Sequence, residues 1–111
     1  MKKYDRFCPV RDIMAEIGSK WAILIMHTLE TEVKRFSDIW REIPDISQKV
    51  LTQKLRTLES FNLIERTVYA EVPPRVEYKL TTLGHSFMEV LHTVLEWAVD
   101  NRESCLSNKS K

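Results

Sequence analysis

The sequence predicts a mainly α-helical domain carrying one small β-hairpin, an α+β fold. Three observations lead there. Two glycines and four prolines are the whole supply of strong breakers in 111 residues, too few for the many turns of an all-β fold. Serine or threonine stands just before most segments whose apolar residues recur at helical spacing, the place where a side-chain oxygen caps a helix. Between residues 63 and 80 the period shifts toward alternation, and β-branched and aromatic residues accumulate.

Taken in order, a first helix is expected over Val10 to Ile17, where Ile13, Met14 and Ile17 recur at helical spacing and Gly18 ends the run. Ser19 caps a second, in which Trp21, Leu24, Ile25, Thr28 and Leu29 keep the period. Ser37, just after Lys34-Arg35-Phe36, is the expected cap of a third helix that buries Ile39, Trp40 and Ile43, and Pro44 stops it. Pro44-Asp45-Ile46 forms a three-residue turn. Ser47 then caps a fourth helix running to about Phe61, with Ile46 stapled onto Leu51 across the cap. Asn62 takes the left-handed position past its end.

Two antiparallel strands follow, Leu63 to Tyr69 and Arg75 to Leu80. Ala70-Glu71-Val72-Pro73-Pro74 joins them as a stiff tip, because proline fixes φ and removes amide donors. Thr81 caps a last helix that stays apolar as far as Val99; the polar tail from Asn101 to Lys111 extends it at most through Cys105 and Leu106.

Two helices joined by so short a turn form a helix-turn-helix, and a hairpin behind them makes it a winged one. The expected layout is one domain over 1–111, with the helix-turn-helix at about 36–61, the wing at about 63–80 and a terminal helix at about 81–105. At about 100° per residue, Leu51, Leu55 and Leu58 of the fourth helix fall in one sector, while Lys49, Gln53, Arg56 and Ser60 lie opposite, with Thr52 at the margin. One face is core and the other is free to hydrogen-bond. Arg56 suits guanine O6 and N7, Gln53 suits adenine, and Thr52 suits a polar edge or a thymine methyl. Lys49 suits a phosphate, and Ser47 and Gln48 stand at a helix start whose amides and dipole attract one. An ordinary solvated helix face would carry similar charges. Arg75 follows the stiff tip and is the expected wing contact, the competing reading being an ion pair with Glu71 or Glu77. Lys34 and Arg35 either touch backbone phosphates or only solubilise the surface.

Composition narrows the alternatives. A formal net charge of +1 rules out a generally basic coating protein, so nucleic-acid affinity must come from local clustering. No Gly-rich phosphate loop, nucleophile-base pair or placed carboxylate constellation argues for an enzyme. No cofactor is expected. The start Met1-Lys2-Lys3-Tyr4-Asp5 has no signal-like apolar stretch and no segment suits a membrane span, so a cytoplasmic location is expected. His85 and His92 share a helix face without further ligands, which makes a metal site a weak reading.

Several segments resemble regulators of the HxlR type: Ile17-Gly18-Ser19-Lys20-Trp21, Arg35-Phe36-Ser37, Ile43 to Thr52, Leu55 to Glu59, Glu65 to Tyr78 with its Val-Pro-Pro-Arg-Val-Glu-Tyr wing, and Leu80 to Gly84. The similarity covers about residues 8–97. It implies a winged-helix homodimer that binds double-stranded operator DNA and regulates transcription. Asn62 and Thr31-Glu32-Val33 depart from the glycines usual in that family, which bears on turn geometry.

Cys8 precedes Pro9 at the start of the first helix, near Arg6 and Arg11, where a thiol pKa is lowered. The resemblance implies a sensor of electrophiles or oxidants for some members; a packed, unreactive thiol is the alternative. The inducer, small molecule or oxidant, is not legible. The last helix is apolar around too much of its circumference to face one core. A two-fold dimer is therefore expected, through Leu91, Val94, Leu95 and Ala98 together with Ile13, Met14 and Ile17 of the first helix. The competing function is a winged-helix protein-interaction module that reads no DNA.

Overall fold

Three helix starts are set by the caps the sequence supplies. Ser19 Oγ accepts the Ala22 N–H at 3.2 Å, Ser47 Oγ accepts that of Val50 at 3.1 Å, and Thr81 Oγ1 accepts that of Gly84 at 2.9 Å. The computed structural model describes residues 7–107, with side chains from residue 10 onward. Its elements are α1 (Phe7–Ile17), α2 (Lys20–Thr28), β1 (Lys34–Arg35), α3 (Phe36–Glu42), α4 (Gln48–Ser60), β2 (Ile64–Tyr69), β3 (Arg75–Leu80), α5 (Thr82–Asp100) and α6 (Arg102–Leu106). The tail is thus a separate short helix, turned off α5 at Asn101.

The third helix departs from expectation. Ser37 is not its cap: α3 starts at Phe36, and Arg35 holds the cap position without a side-chain bond. The reason lies in the sheet. Lys34 and Arg35 pair antiparallel with Tyr78 and Glu77, so β1 joins the hairpin in the order β1-β3-β2 and delivers the chain directly into the helix. Trp40 was expected inside but is 42% exposed, while Ile39 and Ile43 are buried. Its indole Nε1–H donates to the Ile46 carbonyl at 2.9 Å, bracing α3 against the turn before α4. That turn places Asp45 at φ 72°, a conformation Asp tolerates better than most residues. Asn62 has φ 63°, as its position after α4 suggested.

One apolar core joins the layers. Ala22, Ile25 and Met26 of α2, Ile39 of α3, Leu51, Leu55 and Leu58 of α4, Ile64 and Leu80 of the sheet, and Met88 of α5 are all buried in it. Leu91 is among them at 5% exposure, so this residue, expected at a dimer interface, belongs to the chain's own core. Beyond Leu91 every α5 residue to Asp100 is exposed. Past the contact of His92 with Glu30, the second half of the helix projects with its side chains exposed.

Gly84 fixes the root of that helix. A Cβ there would lie 2.2 Å from the Leu63 carbonyl oxygen, which is itself held by the Thr81 amide at 3.1 Å and Thr81 Oγ1 at 3.2 Å. The backbone cannot yield without losing those bonds. Gly84→Ala is expected to cost about 2 kcal/mol or more, as overpacking does, and to lower the thermal midpoint by roughly 10 °C. A calorimetric melt checks this.

Glu30 ties α5 back to the end of α2. Its carboxylate contacts His92 Nε2 on α5 and lies 3.4 Å from His27 Nδ1. The hydrogen bond from His92 holds Glu30 below its ordinary value of 4.5, against a smaller opposing effect of burial. A depressed carboxylate stabilises the fold above its ordinary pKa, and that contribution is lost as pH falls through the lower folded-state value. Glu30→Gln should therefore lower the thermal midpoint at neutral pH and flatten its decline on the acid side. A pH series of melts for the two proteins measures the difference.

Candidate nucleic-acid interface

Helix α4 separates its two faces sharply. Leu51, Leu55 and Leu58 are at most 2% exposed, whereas Gln48, Lys49, Gln53, Arg56 and Ser60 are exposed. Ser47, also exposed, uses a lone pair for the cap and keeps its O–H as a donor. The Gln48 and Lys49 amides open the helix, where amides have no intrahelical acceptor. Thr52 is half-buried, and its hydroxyl donates to the Gln48 carbonyl at 2.9 Å. It therefore offers a methyl and a lone pair outward, not a free donor.

Ion pairing sorts the cations further. Lys54 meets Glu16 at 3.0 Å, Arg41 meets Asp38 at 3.2 Å, and Lys79 meets Glu65 at 3.2 Å. Among the described residues, Arg35, Lys49 and Arg56 of the helix-turn-helix or the strand leading into it have no such partner, nor do Arg102 on the terminal helix and Lys20, whose ammonium lies 4.4 Å over the Trp21 ring. Lys34 differs from its neighbour. Its ammonium lies 2.5 Å from Glu42 and 2.9 Å from Glu32, with the side chain 11% exposed. The hydrogen bonds to Glu42 and then Glu32 raise its pKa. Lys34, one of the expected phosphate contacts, instead staples β1 to α3, and its charge is neutralised.

Arg75 is also engaged. Its guanidinium sits 4.1 Å over the Tyr69 ring, with Glu71 and Glu77 each 3.5 Å away. The two carboxylates named as competing partners from the sequence both hold it, although its buried Nε makes no well-formed hydrogen bond. The guanidinium's charge is thus shared with two carboxylates, while the side chain stays partly exposed. At the wing tip, Val72 is fully exposed.

A row that sequence spacing blurred is clear on α5. Leu83, Val90, Val94 and Trp97 are 53%, 61%, 54% and 59% exposed, and intervals of seven, four and three residues set them in one stripe. Leu95 and Ala98 are exposed beside it. On α1, Ile13 and Met14 are 45% and 56% exposed, and Ile17 is partly buried against the core. Cys8 stands in the first turn of α1, and its side chain lies outside the described residues. His92, paired with His85 in the sequence reading, is engaged by Glu30. No cluster of three metal-ligating side chains occurs among the described residues, and no described helix is long and apolar enough to cross a membrane.

The sequence reading missed β1 and the surroundings of Tyr78. Two residues are too few to show alternation, and the Tyr78 neighbours come from four elements.

A helix pair joined by a tight turn, with a polar and cationic second helix backed by a three-stranded wing, defines a winged helix-turn-helix transcription regulator. Within that class the chain belongs to the HxlR-like helix-turn-helix family, whose model matches residues 16–105. An uncharacterized HTH-type transcriptional regulator of Methanothermobacter thermautotrophicus is 51% identical over 93 residues, covering 84% of this chain and 71% of that one. The transcriptional regulator ytfH of Salmonella typhimurium superposes with a TM-score of 0.82 at 33% identity, over 93% of this chain and 92% of that one. The redox regulator HypR in its reduced form superposes with a TM-score of 0.81 at 36% identity, over 89% and 98%. These relatives are regulators rather than enzymes.

Proposed function

We propose that the protein acts in the cytoplasm as a homodimer that binds a palindromic operator and regulates neighbouring genes. The observation that carries this is the outer face of α4: Lys49 and Arg56 keep their charge unpaired among the described residues, with Arg35 unpaired just before the helix-turn-helix, while nearby Lys34, Arg41 and Lys54 are matched to carboxylates. Gln53 and Arg56 read base edges; Ser47, Gln48 and Lys49 hold a phosphate at the helix start; Thr52 gives a methyl contact; Arg35 adds a backbone contact. Arg75 fixes the wing and meets DNA by exchanging Glu71 or Glu77 for a phosphate. The stripe on α5, with Leu95 and Ala98 beside it and Ile13, Met14 and Ile17 of α1, joins two copies. Two α4 helices then lie roughly 34 Å apart, one turn of DNA.

Salt dependence separates this reading from a protein-interaction module. On DNA from the protein's own upstream region, log K should fall linearly with log salt, with a slope of about −0.9 for each phosphate neutralised. Binding that ignores salt would favour the module.

A thiol response through Cys8 is a second reading, favoured by the likeness to a redox regulator. Its expected result is operator release on diamide treatment by the wild type and by Cys105→Ser, but not by Cys8→Ser. An anisotropy assay distinguishes the three, and equal release by all would leave Cys8 without a sensing role.

A further inference from the structure

Between α4, the start of α3 and the wing lies a notch of about 250 Å³ that shares Thr52 and Arg56 with the operator-binding reading and is otherwise unused by it. Half-buried Phe36 and Tyr78 line it, with nearly fully buried Leu55 as its floor, and Arg56, Arg66 and Glu59 bring charge to it. Three hydrogen-bond donors here are unsatisfied or weakly satisfied. Arg56 has no ion pair among the described residues. Arg66 has only Glu59, at 3.7 Å, beyond hydrogen-bond length. The Tyr78 hydroxyl has no hydrogen-bond partner among the described residues. Burial raises the Tyr78 pKa, with Arg66 and Arg56 opposing and Glu59 adding to the rise; the phenol thus stays a protonated donor at neutral pH.

We propose that this notch binds a small planar aromatic carboxylate, the ring against Phe36, Tyr78 and Leu55 and the carboxylate on Arg56 and Arg66. The two guanidiniums outnumber Glu59, so the site favours a single negative charge. A guanidinium matches a carboxylate in a two-pronged geometry. The Phe36 and Tyr78 rings, set in an otherwise largely polar lining, favour a ring over a phosphodiester, which gains nothing from stacking on them. The volume suffices, since a cavity of about 150 Å³ holds benzene. Arg56 belongs both to the notch and to the DNA-facing side of α4, so an occupied notch draws it from the operator and makes the ligand an inducer. That last step rests on the operator-binding reading; occupancy of the notch does not.

Calorimetric titration with sodium benzoate tests the site without DNA, with acetate and inorganic phosphate as comparison anions. Wild type should bind benzoate saturably and the other two much more weakly. Arg66→Ala and Phe36→Leu should each weaken benzoate about tenfold or more, with thermal midpoints near wild type. Should the alanine variant melt early, Arg66→Gln keeps the stem and removes the charge. In an anisotropy assay, benzoate should release operator from wild type but not from Arg66→Ala, whose operator affinity is otherwise unchanged. No saturable benzoate binding, or binding indifferent to both variants, overturns the proposal. So does phosphate binding as well as benzoate while Arg66→Ala weakens operator binding, the pattern of a seat for a DNA phosphate. If no DNA is bound at all, the calorimetry still decides the notch while the operator reading fails separately.

Discussion

Arg56→Ala is expected to weaken operator binding by about 1 to 3 kcal/mol, roughly fivefold to 150-fold, and to relax the preference at one base pair. The guanidinium is exposed and, among the described residues, free of ion pairs, so DNA displaces no carboxylate to reach it. The fold should survive, because α4 is anchored by Leu51, Leu55 and Leu58 on its opposite face. A contrasting outcome is expected at Lys49: alanine there should weaken all sequences alike and reduce the salt slope by about 1. Titrations of both variants against matched and mutated operators check the pair. Arg56→Ala that leaves affinity and sequence preference unchanged would remove this residue from the base-reading set.

Val94→Glu is expected to have the larger effect still, because in the proposed two-fold dimer one substitution acts twice. Val94 lies in the stripe with Leu83, Val90 and Trp97, more than half exposed in the single chain. A carboxylate there must be desolvated without a partner in each copy, at several kcal/mol apiece, and the two lie on related surfaces. The variant should sediment as a folded monomer. Operator affinity should fall by about 10² to 10⁴, the avidity lost when two linked half-site contacts become one. Leu91→Glu would be uninformative beside it, since Leu91 is buried in the chain's own core and its loss would unfold the domain.

That distinction shows where sequence periodicity stops. The caps at Ser19, Ser47 and Thr81 were legible because each is a local hydrogen bond within three residues. Asn62 was legible too, as a residue tolerant of left-handed backbone at a helix end. The over-apolar circumference of α5 was visible, but not which of its sides the core takes. Leu91 and Val94 are neighbours on the helix, and only the packing of α2 and the sheet makes one core and leaves the other bare. The same holds for charge. Lys34 and Arg35 are adjacent cations, yet strand pairing with β3 leaves Lys34 between Glu32 and Glu42 and its neighbour exposed. Arg75 was legible only as a choice between DNA and carboxylates; the wing register brings Tyr69 to it, and Glu77 lies two residues on along the same face of β3. Tyr78, Arg66 and Arg56 stand far apart in sequence and meet through the turn at Asn62 and the hairpin.

Selection of bound fragments from random double-stranded DNA tests a dimeric operator reader most directly. Two α4 helices related by a two-fold axis should enrich an inverted repeat with half-site centres about one helical turn apart, each half-site holding a base pair whose preference is lost in Arg56→Ala. Fragments without two-fold symmetry, or no enrichment over the starting pool, would contradict it.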